Sequence, residues 1–170
     1  MMFRAIPVLA ILTLSACGGG GGGDIGAGLS LTTQAISALP GRAETGEDVT
    51  FAALLNDVRI TNGVDVVTYD PKLGLAAQYH ADDMLANNYF DHYSQDGSSP
   101  GDRITAAGYN WKTYAENIAM GQTSQAEVMT AWTNSPGHNA NNISPSFEDF
   151  GLGKAGSGSG TRWVLVLATD

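Results

Sequence analysis

Six consecutive apolar residues, Trp163-Val164-Leu165-Val166-Leu167-Ala168, constrain this chain more than any other stretch. The run is far too short to cross a bilayer as a helix, and its β-branched and aromatic content suits a strand. A strand exposed on one side alternates apolar with polar residues, whereas this one is apolar at every position. Both of its faces must therefore be covered. A second strand reads from Phe150 to Ala155, separated from the first by Gly156-Ser157-Gly158-Ser159-Gly160, which suits a loose hairpin. A third is expected around Glu116 to Ala119, within the segment Tyr109 to Met120.

The layers that cover the sheet are helical. Phe51, Leu55 and Val58 recur at helical spacing, so a first helix is expected from Asp48 to Asn62, with Asn62-Gly63 as its stop. Asp70-Pro71 is an N-cap followed by a proline at the first helical position, and the stripe Leu73, Ala76, Ala77, His80, Met84 continues from it. That second helix runs out near Asn87-Asn88. A short third helix follows Ser99-Pro100 and ends at Gly108. A fourth starts at Ser124, pairs it with Glu127 in a capping-box pattern, and turns Val128, Ala131 and Trp132 inward; Pro136-Gly137 ends or sharply bends it. Helices on both faces of a small antiparallel sheet make an α/β fold, a three-layer α/β/α sandwich.

The N-terminus reads as an address. Arg4 and the apolar stretch Ile6 to Leu14 precede Leu14-Ser15-Ala16-Cys17, which looks like a lipoprotein signal with Cys17 as the acylated residue. Cys17 is the only cysteine, so the folded part must hold together through its core without an internal disulfide. Six glycines, Gly18 to Gly23, and a Gly, Ser, Thr and Ala-rich stretch then form a linker. About 30 flexible residues reach roughly 30 Å, enough to hold a domain clear of a membrane. The expected organisation is a signal peptide over 1–16, lipidated Cys17 and linker over 17–47, and one domain over 48–170. The expected location is extracytoplasmic and lipid-anchored, with Gly18 favouring an outer membrane where the source has two. A net charge of −9 with only eight basic residues argues against nucleic acid as a partner.

Several motifs, in order, point to a family. Leu55-Asn56-Asp57-Val58-Arg59, Tyr69-Asp70-Pro71-Lys72-Leu73 and Ala77-Gln78-Tyr79-His80-Ala81-Asp82-Asp83-Met84 come first. Phe90-Asp91-His92, Arg103-Ile104, Ala107-Gly108-Tyr109 and Ala115-Glu116-Asn117-Ile118-Ala119 follow. Trp132, Asn134-Ser135-Pro136-Gly137-His138, Asn141, Phe147 and Gly151-Leu152-Gly153 complete the series. Together, across residues 48–170, they resemble the bacterial branch of the CAP superfamily, the cysteine-rich secretory proteins, antigen 5 and pathogenesis-related proteins. Two departures from the animal and plant members stand out. Gly160-Thr161-Arg162-Trp163 replaces their Gly-His-Tyr-Thr-Gln motif, and Ser135 stands where they carry a glutamate.

The resemblance implies that His92, Glu116 and His138 converge in one cleft. Two imidazoles and a carboxylate suit a divalent metal such as zinc, leaving a position for water. The same three residues also make a hydrogen-bonded cluster that braces loops without a metal, and both readings stand at this point. Glu127 is a possible fourth member, although its capping position already explains it. His80 is expected in the core, Asn117 as a loop brace, Trp132 as core, and Asp102-Arg103 as a surface or loop-anchoring pair. Ser135 lacks the Gly-x-Ser-x-Gly context of a nucleophile. The functions in view are a membrane-tethered module that binds a lipid or another envelope ligand, a metal-dependent hydrolase of the envelope, and a structural or adhesive protein. No residue outside the ligand set offers itself as a general base, which favours the module over the enzyme.

Overall fold

The computed structural model describes residues 41–170; the expectations placed on Cys17 and the glycine run lie outside the described residues. The elements are α1 (Gly46–Thr61), β1 (Thr68–Tyr69), α2 (Pro71–Ala86), α3 (Pro100–Ala106), β2 (Thr113–Met120), α4 (Gln125–Thr133), α5 (Pro136–Asn142), β3 (Asp149–Ala155) and β4 (Arg162–Thr169). The strands form one sheet in the order β1-β3-β4-β2. The β3–β4 and β2–β4 pairs are antiparallel, as expected, while the two-residue β1 runs parallel to β3.

β4 lies inside the sheet and is buried along nearly its whole length, so its unbroken apolar run has the physical cause the sequence suggested. Its residues alternate between two cores. Val164, Val166 and Ala168 pack with Leu73, Ala77, Met84 and Ile104 from α2 and α3. Trp163, Leu165 and Leu167 pack with Phe51, Leu55, Val128 and Trp132 from α1 and α4. The fold is thus an α/β sandwich of three layers, with α2 and α3 on one face and α1 and α4 on the other.

Local chemistry sets the helix starts. The Asp70 carboxylate accepts from the backbone N–H groups of Lys72 and Leu73, and Pro71 supplies a preset φ at the first helical position. The first helix begins two residues earlier than expected, because Thr45 and Asp48 form a reciprocal capping box. Order also extends N-terminal of Asp48: the Arg42 guanidinium lies 2.6 Å from both Asp48 Oδ1 and the Leu152 carbonyl. α5 corrects the expectation at Pro136. α4 stops at Thr133, and Pro136 opens a separate short helix.

Arg59 is the least expected core residue. It sits one turn after Leu55 and is fully buried. Its guanidinium donates to the carbonyl oxygens of Asp65, Asn142, Ser144 and Phe147, at 2.6–3.1 Å. Three of those carbonyls lie in loops and that of Asn142 ends α5, so one planar fork of donors satisfies backbone that would otherwise be buried unpaired.

Candidate functional site

The site forms at the β2 margin of the sheet. β2 pairs only with β4, so its other side is open to the loops and helices of both layers. Adjacent strand residues point to opposite faces. Glu116 shares its face with Ile118, in the α2–α3 core, whereas Asn117 shares its face with Ala119, in the α1–α4 core. Two neighbouring side chains therefore tie two different layers to one edge.

Glu116 is the hub of the first tie. Its side chain is only 2% exposed, yet both oxygens are engaged: His92 Nδ1 lies 2.8 Å from Oε1 and an Arg103 Nη2 lies 2.8 Å from Oε2. Burial alone would push this carboxyl upward, but the His92 bond and the Arg103 charge together hold it below its ordinary value. An ionised carboxylate only accepts, so His92 Nδ1 is the donor, and the tautomer of the neutral ring is thereby set. The bond to Glu116 raises the His92 pKa. Arg103, itself buried, also donates to the carbonyls of His92 and Ser98 and to Ser94 Oγ. It is the loop-anchoring residue anticipated, but its contact with Glu116 makes it a functional neighbour that spacing could not reveal. Asp102 has a separate task, capping α3 with Ser99.

Asn117 makes the second tie. Its amide donates to the His138 carbonyl at 3.0 Å and to Asn142 Oδ1 at 2.9 Å, and its own Oδ1 accepts from Asn141 at 2.8 Å. It is a brace, as expected, but what it holds is the helix α5 rather than a loop. The His138 imidazole is held below its ordinary pKa by burial and by the charge on His92, so the two rings sense one another electrostatically. Among the described residues, neither ring nitrogen of His138 nor the Nε2 of His92 makes a hydrogen bond.

The structure thus brings His92 and Glu116 into direct contact, while His138 is tied through its carbonyl to Asn117, the next residue of β2. It does not bring Glu127 to the cluster. That carboxylate is exposed at the start of α4, where Oε2 accepts from Thr123 N at 2.7 Å and from Thr123 Oγ1 at 2.9 Å. The capping role assigned from sequence holds in modified form: Ser124 caps Glu127 N, and Glu127 reaches back to Thr123 rather than Ser124. Glu127 instead lines a groove of about 640 Å³ with Met120, Gln122, Ala126, Thr130 and Ala131. That groove contains none of His92, Glu116 and His138.

Fit to a metal ion divides the three residues. Glu116 has both oxygens occupied and a guanidinium against one of them, an environment hostile to a second cation. Among the described residues, no group of three or more His, Cys, Asp or Glu side chains is placed to hold an ion. Each imidazole keeps an available nitrogen, and Glu116 behind His92 matches the carboxylate–histidine arrangement that orients metal ligands.

Comparisons with known proteins agree with this architecture. The family model for the cysteine-rich secretory protein family, CAP, matches residues 52–167. The chain is 41% identical over 106 residues to uncharacterized protein YkwD of Bacillus subtilis (strain 168), covering 62% of this chain and 41% of that protein. It is 27% identical over 112 residues to uncharacterized membrane protein YlbC of the same bacterium, covering 66% and 32% respectively. It therefore spans less than half the length of these curated relatives. Among solved structures, an extracellular protein containing an SCP domain from Bacillus anthracis str. Ames superposes with a TM-score of 0.67 at 24% identity, covering 72% of this chain and 40% of that one. An outer surface protein from Borrelia burgdorferi gives a TM-score of 0.67 at 20% identity, covering 77% and 98%. Because the matched stretch contains His80, His92, Arg103, Glu116 and His138 and runs from α1 to β4, the chain belongs to the cysteine-rich secretory protein (CAP) family.

Proposed function

We propose that this chain is an extracytoplasmic, membrane-tethered CAP protein whose domain binds a ligand at a cleft centred on His92 and His138, with a divalent ion such as zinc held by the two imidazoles. The observation that carries the reading is the buried Glu116 carboxylate, which accepts a hydrogen bond from His92 Nδ1–H and leaves Nε2 of that half-exposed ring to a ligand. Glu116 serves as the partner behind His92 and not as a direct ligand. Tethering rests on the signal-like segment ending at Cys17 and on the surface locations named for two structural relatives. Among the described residues, no helix is long and apolar enough to cross a membrane. For a lipid or amphiphilic envelope molecule the support is a second place, separate from the histidines: the groove beside α4, where Met120, Ala126 and Ala131 give apolar lining and Glu127 a charged end.

Zinc titration of the purified chain by calorimetry tests the ion. One ion per chain is expected at neutral pH. Glu116→Gln should weaken binding about 10–100-fold while leaving both imidazoles in place. His138→Ala should remove one ligand and most of the affinity. Absence of any binding heat at neutral pH overturns the metal reading and leaves a ligand module.

The pH dependence has a definite sign. Protons compete with the ion for each ring as pH falls through that ring's pKa. His92 is raised by Glu116 and His138 is lowered, so affinity should begin to fall on the alkaline side of the ordinary histidine pKa of about 6.5. Glu116→Gln should move that onset to lower pH. An onset unchanged by this substitution contradicts the role given to His92.

One observation favours a hydrolase as a second reading. Two neighbouring imidazoles shifted in opposite directions resemble an acid and base pair. Turnover of an envelope peptide that disappears in His138→Ala supports it.

A further inference from the structure

His80 is buried completely, and its ring packs edge-on against Tyr89 with centroids 6.1 Å apart. Its Nε2 lies 2.9 Å from the carbonyl oxygen of Asp91 and 4.0 Å from Glu116 Oε1. A carbonyl and a carboxylate both only accept, so Nε2 carries the hydrogen and Nδ1 is a bare lone pair. Nδ1 has no hydrogen-bond partner among the described residues. The ring is therefore not an interchangeable core filler. One face of it is apolar packing, and one nitrogen is a donor aimed at a single peptide.

That peptide is the one joining Asp91 to His92. Its carbonyl belongs to residue 91 and its N–H to residue 92, so holding the oxygen fixes the peptide plane from which the His92 side chain departs. The neighbouring carbonyls are held too: Tyr89 O faces Arg162 Nε at 3.4 Å, and His92 O accepts from Arg103 at 2.9 Å. Three donors from β4, α2 and α3 thus pin successive parts of one loop. Only the His80 bond acts on the peptide immediately before the functional ring.

We propose that His80 is a positioning residue: its Nε2–H holds the Asp91–His92 peptide so that His92 Nδ1 meets Glu116 and His92 Nε2 is presented to the cleft. The consequence for ion binding rests on the function proposed above, whereas the consequence for the His92 tautomer does not.

Glutamine and asparagine separate this role from packing. The glutamine amide nitrogen reaches the place of an imidazole Nε2, and the asparagine amide nitrogen only that of Nδ1. In ¹⁵N spectra of the metal-free chain, at a pH where the imidazoles are neutral, His92 should show one tautomer with the proton on Nδ1. His80→Gln should keep that signature, and His80→Asn should replace it with the tautomer mixture of a free imidazole. Zinc affinity should follow, unchanged in His80→Gln and about tenfold weaker in His80→Asn. Equal behaviour of the two variants, whether both keep the single tautomer or both lose it, overturns the proposal. If His80→Asn does not fold, loss of the signature in His80→Gln overturns it equally. A chain that binds no zinc refutes the ion and leaves the tautomer comparison to decide the role of His80.

Discussion

Gly151→Ala is expected to destabilise the domain by about 3 kcal/mol or more, at the upper end of what overpacking costs. β3 lies directly under α2, and its glycines face the helix backbone. A Cβ at Gly151 would sit 2.1 Å from the Leu73 carbonyl carbon and 2.2 Å from the Gly74 nitrogen. A Cβ at Gly153 would sit 2.2 Å from the Ala77 carbonyl oxygen. These are main-chain atoms of α2, so no rotamer change relieves the clash. The helix and strand would have to separate, opening the core that holds Leu73, Ala77, Val164 and Val166. Total stabilities of about 5–15 kcal/mol leave little margin for such a loss. Urea unfolding measures it, with Gly137→Ala as control: that residue is in α5, with nothing within 4 Å of an added Cβ. The control should be neutral or slightly stabilising, since alanine restricts the unfolded chain. A Gly151→Ala midpoint equal to the parent's would contradict the close approach of α2 to β3.

The second large effect is expected at Arg103. Arg103→Met removes a buried guanidinium and leaves the Glu116 carboxylate buried without its cationic partner, a change that costs about 3–5 kcal/mol. The loop carrying His92 loses three hydrogen bonds at the same time. The Glu116 carboxyl should then take up a proton at higher pH than in the parent, because burial, the influence that raises it, is no longer opposed by Arg103. Adding Glu116→Gln to Arg103→Met should recover part of the loss, since an amide costs less to bury than an uncompensated charge. A double-mutant cycle read by thermal or urea unfolding should give a coupling of about 0.5–3 kcal/mol. Purely additive effects would mean that the 2.8 Å contact contributes only geometry.

What the sequence disclosed depended on the range of the interaction concerned. β4 was legible because burial on both faces writes an unbroken apolar run, and α2 because Asp70-Pro71 is a local start signal. α5 was not: Pro-Gly-His-Asn-Ala-Asn-Asn has no apolar stripe and poor helix formers, and it is held by Asn117 from another element. Its proline read as an end of α4 when it is the first residue of a new helix. Arg59 is not legible as core from the sequence because a charge on a helix normally marks the solvated face, and the carbonyls that explain its burial are, apart from that of Asp65, far away along the chain. The meeting of His92 with Glu116 was suggested by family resemblance and not by spacing. Arg103 completes that meeting, and the only signal for it was its place in the same motif series.

The way the chain enters the domain has a directional consequence. Arg42 is pinned beside Tyr69 and Leu152, next to β1 and β3, whereas the histidines gather at β2, on the far side of the four-strand sheet. Neighbouring strands are spaced by about 4.8 Å, so roughly 14 Å of sheet separates the two margins. Under the tethering proposed above, a pull arriving at Arg42 would be received at one rim, with His92 and Glu116 at the other.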